Sequence, residues 1–181
     1  MAKKRIPYEP LEIVLQPDES RQVFGNPPRK RVEQAPYKAL RVSVALVRDE
    51  GYTARTARQI TGPNDAHALL RYLADEPQEV FVVLLLNNKN KCVGIHEVHR
   101  GTLAHVEVHP ADVLRAALVA AARSIIVAHN HPSGEATPSP DDKALTDRLK
   151  RACDLLGIPL QDHLIIGEGN DFYSFSTNGL L

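Results

Sequence analysis

From residue 37 onward the apolar positions fall into short blocks whose period switches between two and about 3.6 residues, the periods of strands and helices. Leu40, Val42, Val44 and Leu46 alternate with Arg41, Ser43 and Ala45, which predicts a strand with one buried face; a second short strand is expected over 52–57. Gly62-Pro63-Asn64-Asp65 opens a helix that Ala66, Leu69, Leu70 and Leu73 carry to about Leu73. The block from Val80 to Leu86 is apolar at every position, the mark of a strand covered on both faces. Asn87-Asn88-Lys89-Asn90 is a turn, leading to a return strand over 91–99; Gly101 breaks it and a further strand is expected over 102–108. Pro110 opens a helix to Arg123 with Val113, Leu114, Ala117, Leu118 and Ala121 inward. A strand over 125–129, a loop over 130–139, and a helix from Pro140 to about Leu156, stopped by Gly157 and Pro159, follow. Strands over 160–166 and 172–175 complete an α/β or α+β sandwich around one core.

The first 36 residues differ. Pro7, Pro10, Pro17, Pro27, Pro28 and Pro36 interrupt them, so they read as a largely irregular arm with a short strand over 11–15, distinct from a globular domain over 37–181. The basic clusters Lys3-Lys4-Arg5 and Arg29-Lys30-Arg31 lie in this arm and read as a solvated tail. The formal net charge is zero, without the basic excess of a dedicated nucleic-acid binder, so nucleic acid is not an expected partner. Cys92 and Cys153 are far apart and no CxxC occurs, which argues against a disulfide framework or zinc ribbon and fits a reducing, cytoplasmic setting. No apolar run is longer than Val80 to Leu86, which falls far short of the ~20 residues a membrane span needs. The N-terminus has charges but no apolar core of a signal peptide.

The chemistry concentrates in HNHPSGEATPSPDD. His129 and His131, two apart on an extended segment, point the same way. With Asp142 they make three protein ligands, the number in a catalytic zinc site whose fourth position stays open. Two plainer readings stand beside this one. A lone HxH is more often one core histidine and one exposed histidine. Ser139-Pro140-Asp141-Asp142 is also a helix start, with Ser as N-cap, Pro at the first helical position and an acid at the third. Capping accounts for Ser139 and Asp142 but not for the histidine pair before them. A nucleobase deaminase would need H-x-E with P-C-x-x-C; this chain has His129-Asn130-His131 at the motif and no CxxC.

HxHP followed by SxxD at this spacing resembles the JAMM signature of JAB/MPN+ metalloproteases, here on His129, His131, Pro132, Ser139 and Asp142. The wider stretch GTLAHVEVHPADVLRAALVAAARSIIVAHNHPSGEATPSPDD, the block EVFVVLLLNNKNKCVG and LQDHLIIGEG are similar to the RadC branch, over roughly 37–181. The resemblance implies a three-layer-like α/β sandwich, a mixed sheet flanked by helices, of the JAB/MPN, cytidine-deaminase-like kind. It implies one Zn2+ per chain on His129, His131 and Asp142. Glu79, just before Val80-Phe81, would be the general base for a zinc-bound water, and Ser139 an oxyanion donor. The activity implied is that of a zinc metallopeptidase or isopeptidase on a peptide or protein substrate, a flexible C-terminal tail like that of ubiquitin-like proteins being one candidate. A DNA-associated accessory role without protease activity is the alternative.

The chain also departs from the family. Its first 36 residues lack the helix-hairpin-helix pattern of full-length RadC proteins, and Ala111 stands where they tend to have Arg after VHP. Apart from the resemblance, Glu97 and Glu107 compete equally with Glu79. His105, Glu107 and His109 share one strand face and read as its polar side. His96 and His99, three apart in a strand, are expected on opposite faces. Asp162-His163 either supports the site from behind or is structural.

Overall fold

A computed structural model describes residues 59–101 and 108–181. The N-terminal arm, the boundary at 36/37, the strands expected over 11–15, 40–46 and 52–57, residues 102–107 of the strand expected over 102–108, and with them His105 and Glu107, lie outside the described residues; Val108 is described and buried. His109 is exposed at the N-cap of a helix.

The described elements are α1 (Pro63–Leu70), a 3₁₀ turn (Arg71–Asp75), β1 (Val80–Leu86), β2 (Cys92–Arg100), α2 (Pro110–Val119), β3 (Ser124–Asn130), α3 (Pro140–Leu156), β4 (Leu160–Ile166) and β5 (Phe172–Ser174). The strands form one mixed sheet in the order β2-β1-β3-β4-β5. Only β3 and β4 are parallel; the other neighbours are antiparallel. A parallel pair needs a long crossover, and here the crossover contains α3.

Side chains alternate across the sheet and so divide between two cores. Phe81, Val83, Leu85, Ile125 and Val127 face α2 and α3, meeting Val113, Leu114, Leu145, Leu149 and Cys153. Val80, Val82, Leu84, Leu86, Ile126, Ala128, Leu164 and Ile166 face the opposite way, onto Ala66 and Leu70 of α1 and Leu73. The sheet is therefore the middle of three layers, an α/β sandwich consistent with JAB/MPN, and β1 and β3 are buried along their whole lengths.

Two expectations need correction. The helix opened by Pro110 stops at Val119 rather than Arg123, and of the residues expected inward Val113, Leu114 and Ala117 are buried while Leu118 and Ala121 are exposed. Ala121 takes φ 49, its N–H bonds to Leu118 O, and the N–H of Ala122 bonds to Ala117 O, the paired bonds of a Schellman stop. Glycine usually marks such a stop, so an alanine there left no trace in the pattern. The second correction concerns His96 and His99. The β1–β2 ladder sets His96 opposite Val83 and His99 opposite Phe81, and Val83 and Phe81 share one face. A bulge at Val98 shifts the register by one residue and brings both histidines to the same side.

Because a left-handed alanine is strained and glycine is not, Ala121→Gly is expected to stabilise the fold by about 0.5–1 kcal/mol, seen as a higher denaturant midpoint. A lower midpoint would contradict the assigned helix stop.

Candidate metal centre

The site forms where the C-terminal end of β3, the loop after it, the first turn of α3 and the segment before β1 meet. His129 is the penultimate residue of β3 and faces α3, its ring stacked on Phe81. His131 follows on the same side. The Nε2 atoms of the two rings are 3.1 Å apart. Asp142 Oδ1 lies 3.1 Å from His129 Nε2, and Asp142 Oδ2 lies 3.5 Å from His131 Nε2. Glu79 Oε1 is 3.8 Å from His129 Nε2. The four residues named from sequence for metal binding and proton transfer thus converge on one point. Donor atoms of Glu79, His129 and His131 all lie within 4.8 Å of one another, a group that could hold a metal ion. Asp142 touches both rings but stands outside that threesome.

Each residue reaches the point for a local reason. Asp142 is the third residue of α3, and a reciprocal cap holds it there. Ser139 Oγ accepts from Asp142 N, while Ser139 N–H and O–H both donate to Asp142 Oδ2, at 2.8 and 2.7 Å. The cap occupies Oδ2, leaving Oδ1 as the oxygen against His129. In this structure the Ser139 hydroxyl is a capping group. The His131 ring is turned by its Nδ1–H, which donates to Glu135 O at 2.8 Å. Its loop lies against the turn between β4 and β5, where Glu168 N–H donates to Gly134 O. A Cβ on Gly167 would meet Gly134 O at 2.6 Å, so only glycine allows that approach.

Asn130, between the two histidines, was passed over in the sequence. A strand alternates its side chains, so Asn130 points away from His129 and toward the segment carrying Glu79. Its Oδ1 accepts from Val80 N at 2.8 Å, and its Nδ2 donates to the carbonyls of Gln78 and Glu76 at 3.0 and 3.2 Å. The β3 segment that supplies a histidine therefore also clamps the residues on both sides of Glu79.

Asp162 and His163 part ways. Asp162 accepts hydrogen bonds from His163 N, Ser176 N and Ser174 Oγ, which ties down the chain after β5. His163 is sealed behind the site. Its Nε2 is 3.0 Å from His129 Nδ1, its Nδ1 is 2.7 Å from Thr146 Oγ1, and Phe175 stacks on its ring. Thr146, one helical turn after Asp142, was also unnamed in the sequence, although i,i+4 spacing puts both on one face of α3.

Burial would raise the Asp142 carboxyl, yet its contacts with His129, His131 and Ser139 hold it well below the usual carboxylate range. The contact with Asp142 raises His131 against the opposing effect of burial, and the Glu135 carbonyl adds to the rise. Burial, then the neighbouring His129, lowers His163 well below the usual histidine range. Residues 60–180 match the family model for the RadC-like JAB domain. The chain is 38% identical over 148 residues to a UPF0758 protein of Xylella fastidiosa, covering 80% of this chain and 66% of that protein. It is 43% identical over 136 residues to one from Staphylococcus haemolyticus, covering 73% and 60%. A third, from Rhodobacter capsulatus, is 46% identical over 118 residues, covering 63% and 55%. The chain therefore spans between about half and two thirds of the length of these relatives.

A test follows for the metal-free protein. The raised His131 contributes stability that is complete below its ordinary 6.5 and is lost as pH rises through its folded value. The lowered Asp142 contributes above 3.8 and loses its contribution as pH falls through its folded value. His163 acts in the opposite sense to His131, costing stability below 6.5. The diagnostic quantity is thus the difference between wild type and His131→Asn. That difference should shrink as pH rises above 6.5 in thermal melts. A constant difference would contradict the His131–Asp142 pairing.

Proposed function

The chain belongs to the RadC-like JAB domain family, and from that premise we propose that it is a zinc-dependent hydrolase, a peptidase or isopeptidase acting on peptide or protein substrates. The observation that carries this reading is the meeting of two imidazole nitrogens and two carboxylates from four separate segments, with Nε2–Nε2 at 3.1 Å and Asp142 Oδ1 at 3.1 Å. The donor set suits zinc: both histidines have their Nδ1 engaged elsewhere, so each offers Nε2, and a carboxylate oxygen completes three ligands. His129, His131 and Asp142 are the proposed ligands. A divalent ion held there supplies an acidified water and polarises the scissile carbonyl.

The chain's own groups do the rest. Glu79, with Oε1 3.8 Å from His129 Nε2, accepts a proton on its carboxylate and returns it to the leaving amine. Asn130 holds its backbone in place for that transfer. Ser139 donates its hydroxyl to the developing oxyanion by turning it away from Asp142 Oδ2, which keeps its bond from Ser139 N–H at 2.8 Å. The peptide substrate class rests on the family. A formal net charge of zero gives no basic excess for a phosphate backbone, which disfavours a DNA-associated role.

Zinc content and cleavage of a peptide library, measured together, separate the roles. Wild type is expected to carry roughly one zinc per chain and His129→Ala/His131→Ala close to none. Glu79→Gln should keep the metal but lose ~10²–10⁴ in turnover, and Asp142→Asn should lose the metal itself. Equal, negligible zinc in wild type and the double variant would contradict the reading. Metal loss in Glu79→Gln with retention in Asp142→Asn would exchange the roles of the two carboxylates.

A further inference from the structure

Behind His129 runs a chain of hydrogen bonds that never reaches water. His129 Nδ1 meets His163 Nε2 at 3.0 Å, His163 Nδ1 meets Thr146 Oγ1 at 2.7 Å, and Thr146 Oγ1 meets Asp142 O at 2.6 Å. His129, His163 and Thr146 are all buried. Heavy-atom distances leave the protons of a histidine undetermined, but here one end of the chain decides them. A backbone carbonyl can only accept, so the single proton of the Thr146 hydroxyl goes to Asp142 O. The Thr146 oxygen then has only lone pairs for His163, so His163 Nδ1 carries a proton and donates it. The His163 ring is fully buried and its two nitrogens meet only Thr146 and His129, neither of them a carboxylate to balance a charge, so it carries a single proton; its Nε2 is bare and can only accept from His129. His129 Nδ1 must therefore be the protonated nitrogen, which turns Nε2 toward Asp142 Oδ1 and His131 as the atom available to a cation.

We infer that Thr146 and His163 form a proton-ordering relay that sets the tautomer of His129 and thereby makes β3 competent to bind a divalent cation. The inference rests on the metal-site reading above and adds two positioning residues to it. The relay also closes on itself. It starts at the side chain of one proposed ligand, His129, and ends at the backbone of another, Asp142, so the first turn of α3 and the end of β3 are locked to each other through β4. Phe81 and Phe175 stack on the His129 and His163 rings at interplanar angles of 13°, which holds the ring planes in which these bonds are made. His131 needs no relay because the Glu135 carbonyl orders it directly.

Thr146→Val keeps the shape of the side chain and removes its oxygen. His163 is then free to take the other tautomer and present Nε2–H to His129, which would move the His129 proton to Nε2. Two readouts test this in the full chain. Long-range nitrogen NMR of the metal-free protein should show the proton on Nδ1 of both His129 and His163 in wild type and Thr146→Ser, and a changed His129 pattern in Thr146→Val. Competition with a chelator for Zn2+ should show ~10–100-fold weaker binding in Thr146→Val and binding within about threefold of wild type in Thr146→Ser. A folded Thr146→Val with unchanged His129 pattern and unchanged Zn2+ affinity would overturn the relay. So would a wild-type protein whose His129 carries its proton on Nε2 alone, and this readout needs no variant to fold. A wild type that binds no Zn2+ but shows His129 protonated on Nδ1 would defeat the metal reading and leave the relay standing.

Discussion

An imidazole sealed from water has two ring nitrogens that each need a partner, and His129 is such a ring. One nitrogen must be satisfied inside the protein before the other can be offered outward. That requirement reaches through the fold. The parallel register of β3 and β4 pairs Val127 with His163, which puts His163 diagonally behind His129 on the same face. The helix packed on that face brings Thr146 to the far side of His163. A parallel pair needs a long crossover, and this crossover begins at His131 and carries Asp142 and Thr146 on its helix. Strand order, crossover and helix docking therefore all serve the same buried ring.

The start of α3 shows how one carboxylate serves two purposes. Asp142 Oδ2 closes the cap with Ser139, and Oδ1 faces the histidines. A carboxylate in the first turn of a helix is favoured by the helix dipole, and a capped first turn has little freedom to move. Helix capping and the placement of Asp142 Oδ1 against the histidines are thus one arrangement here.

Much of this was legible in the residues. Val80–Leu86 announced its burial by having no polar position, and Pro140 with Gly157 marked the ends of α3 by chemistry that acts within a few residues. His129 and His131 could be paired because a strand repeats every two residues, and Asp142 because its helix start was readable. Glu79 was different. Its approach to His129 depends on the antiparallel register of β1 and β3, which no local pattern states, so only resemblance nominated it. Asn130 went unseen because its partners are backbone groups about fifty residues away. The bulge at Val98 and the left-handed Ala121 were equally silent, since neither carries the glycine that usually signals such a feature.

The claim on which the rest depends is that these side chains are one cation site. Anomalous scattering at the zinc edge from crystals grown with Zn2+ tests it most directly. The account predicts a single strong peak within ~2.0–2.2 Å of His129 Nε2, His131 Nε2 and Asp142 Oδ1. Zinc bound elsewhere on the chain, with no peak between the two histidines, would contradict it.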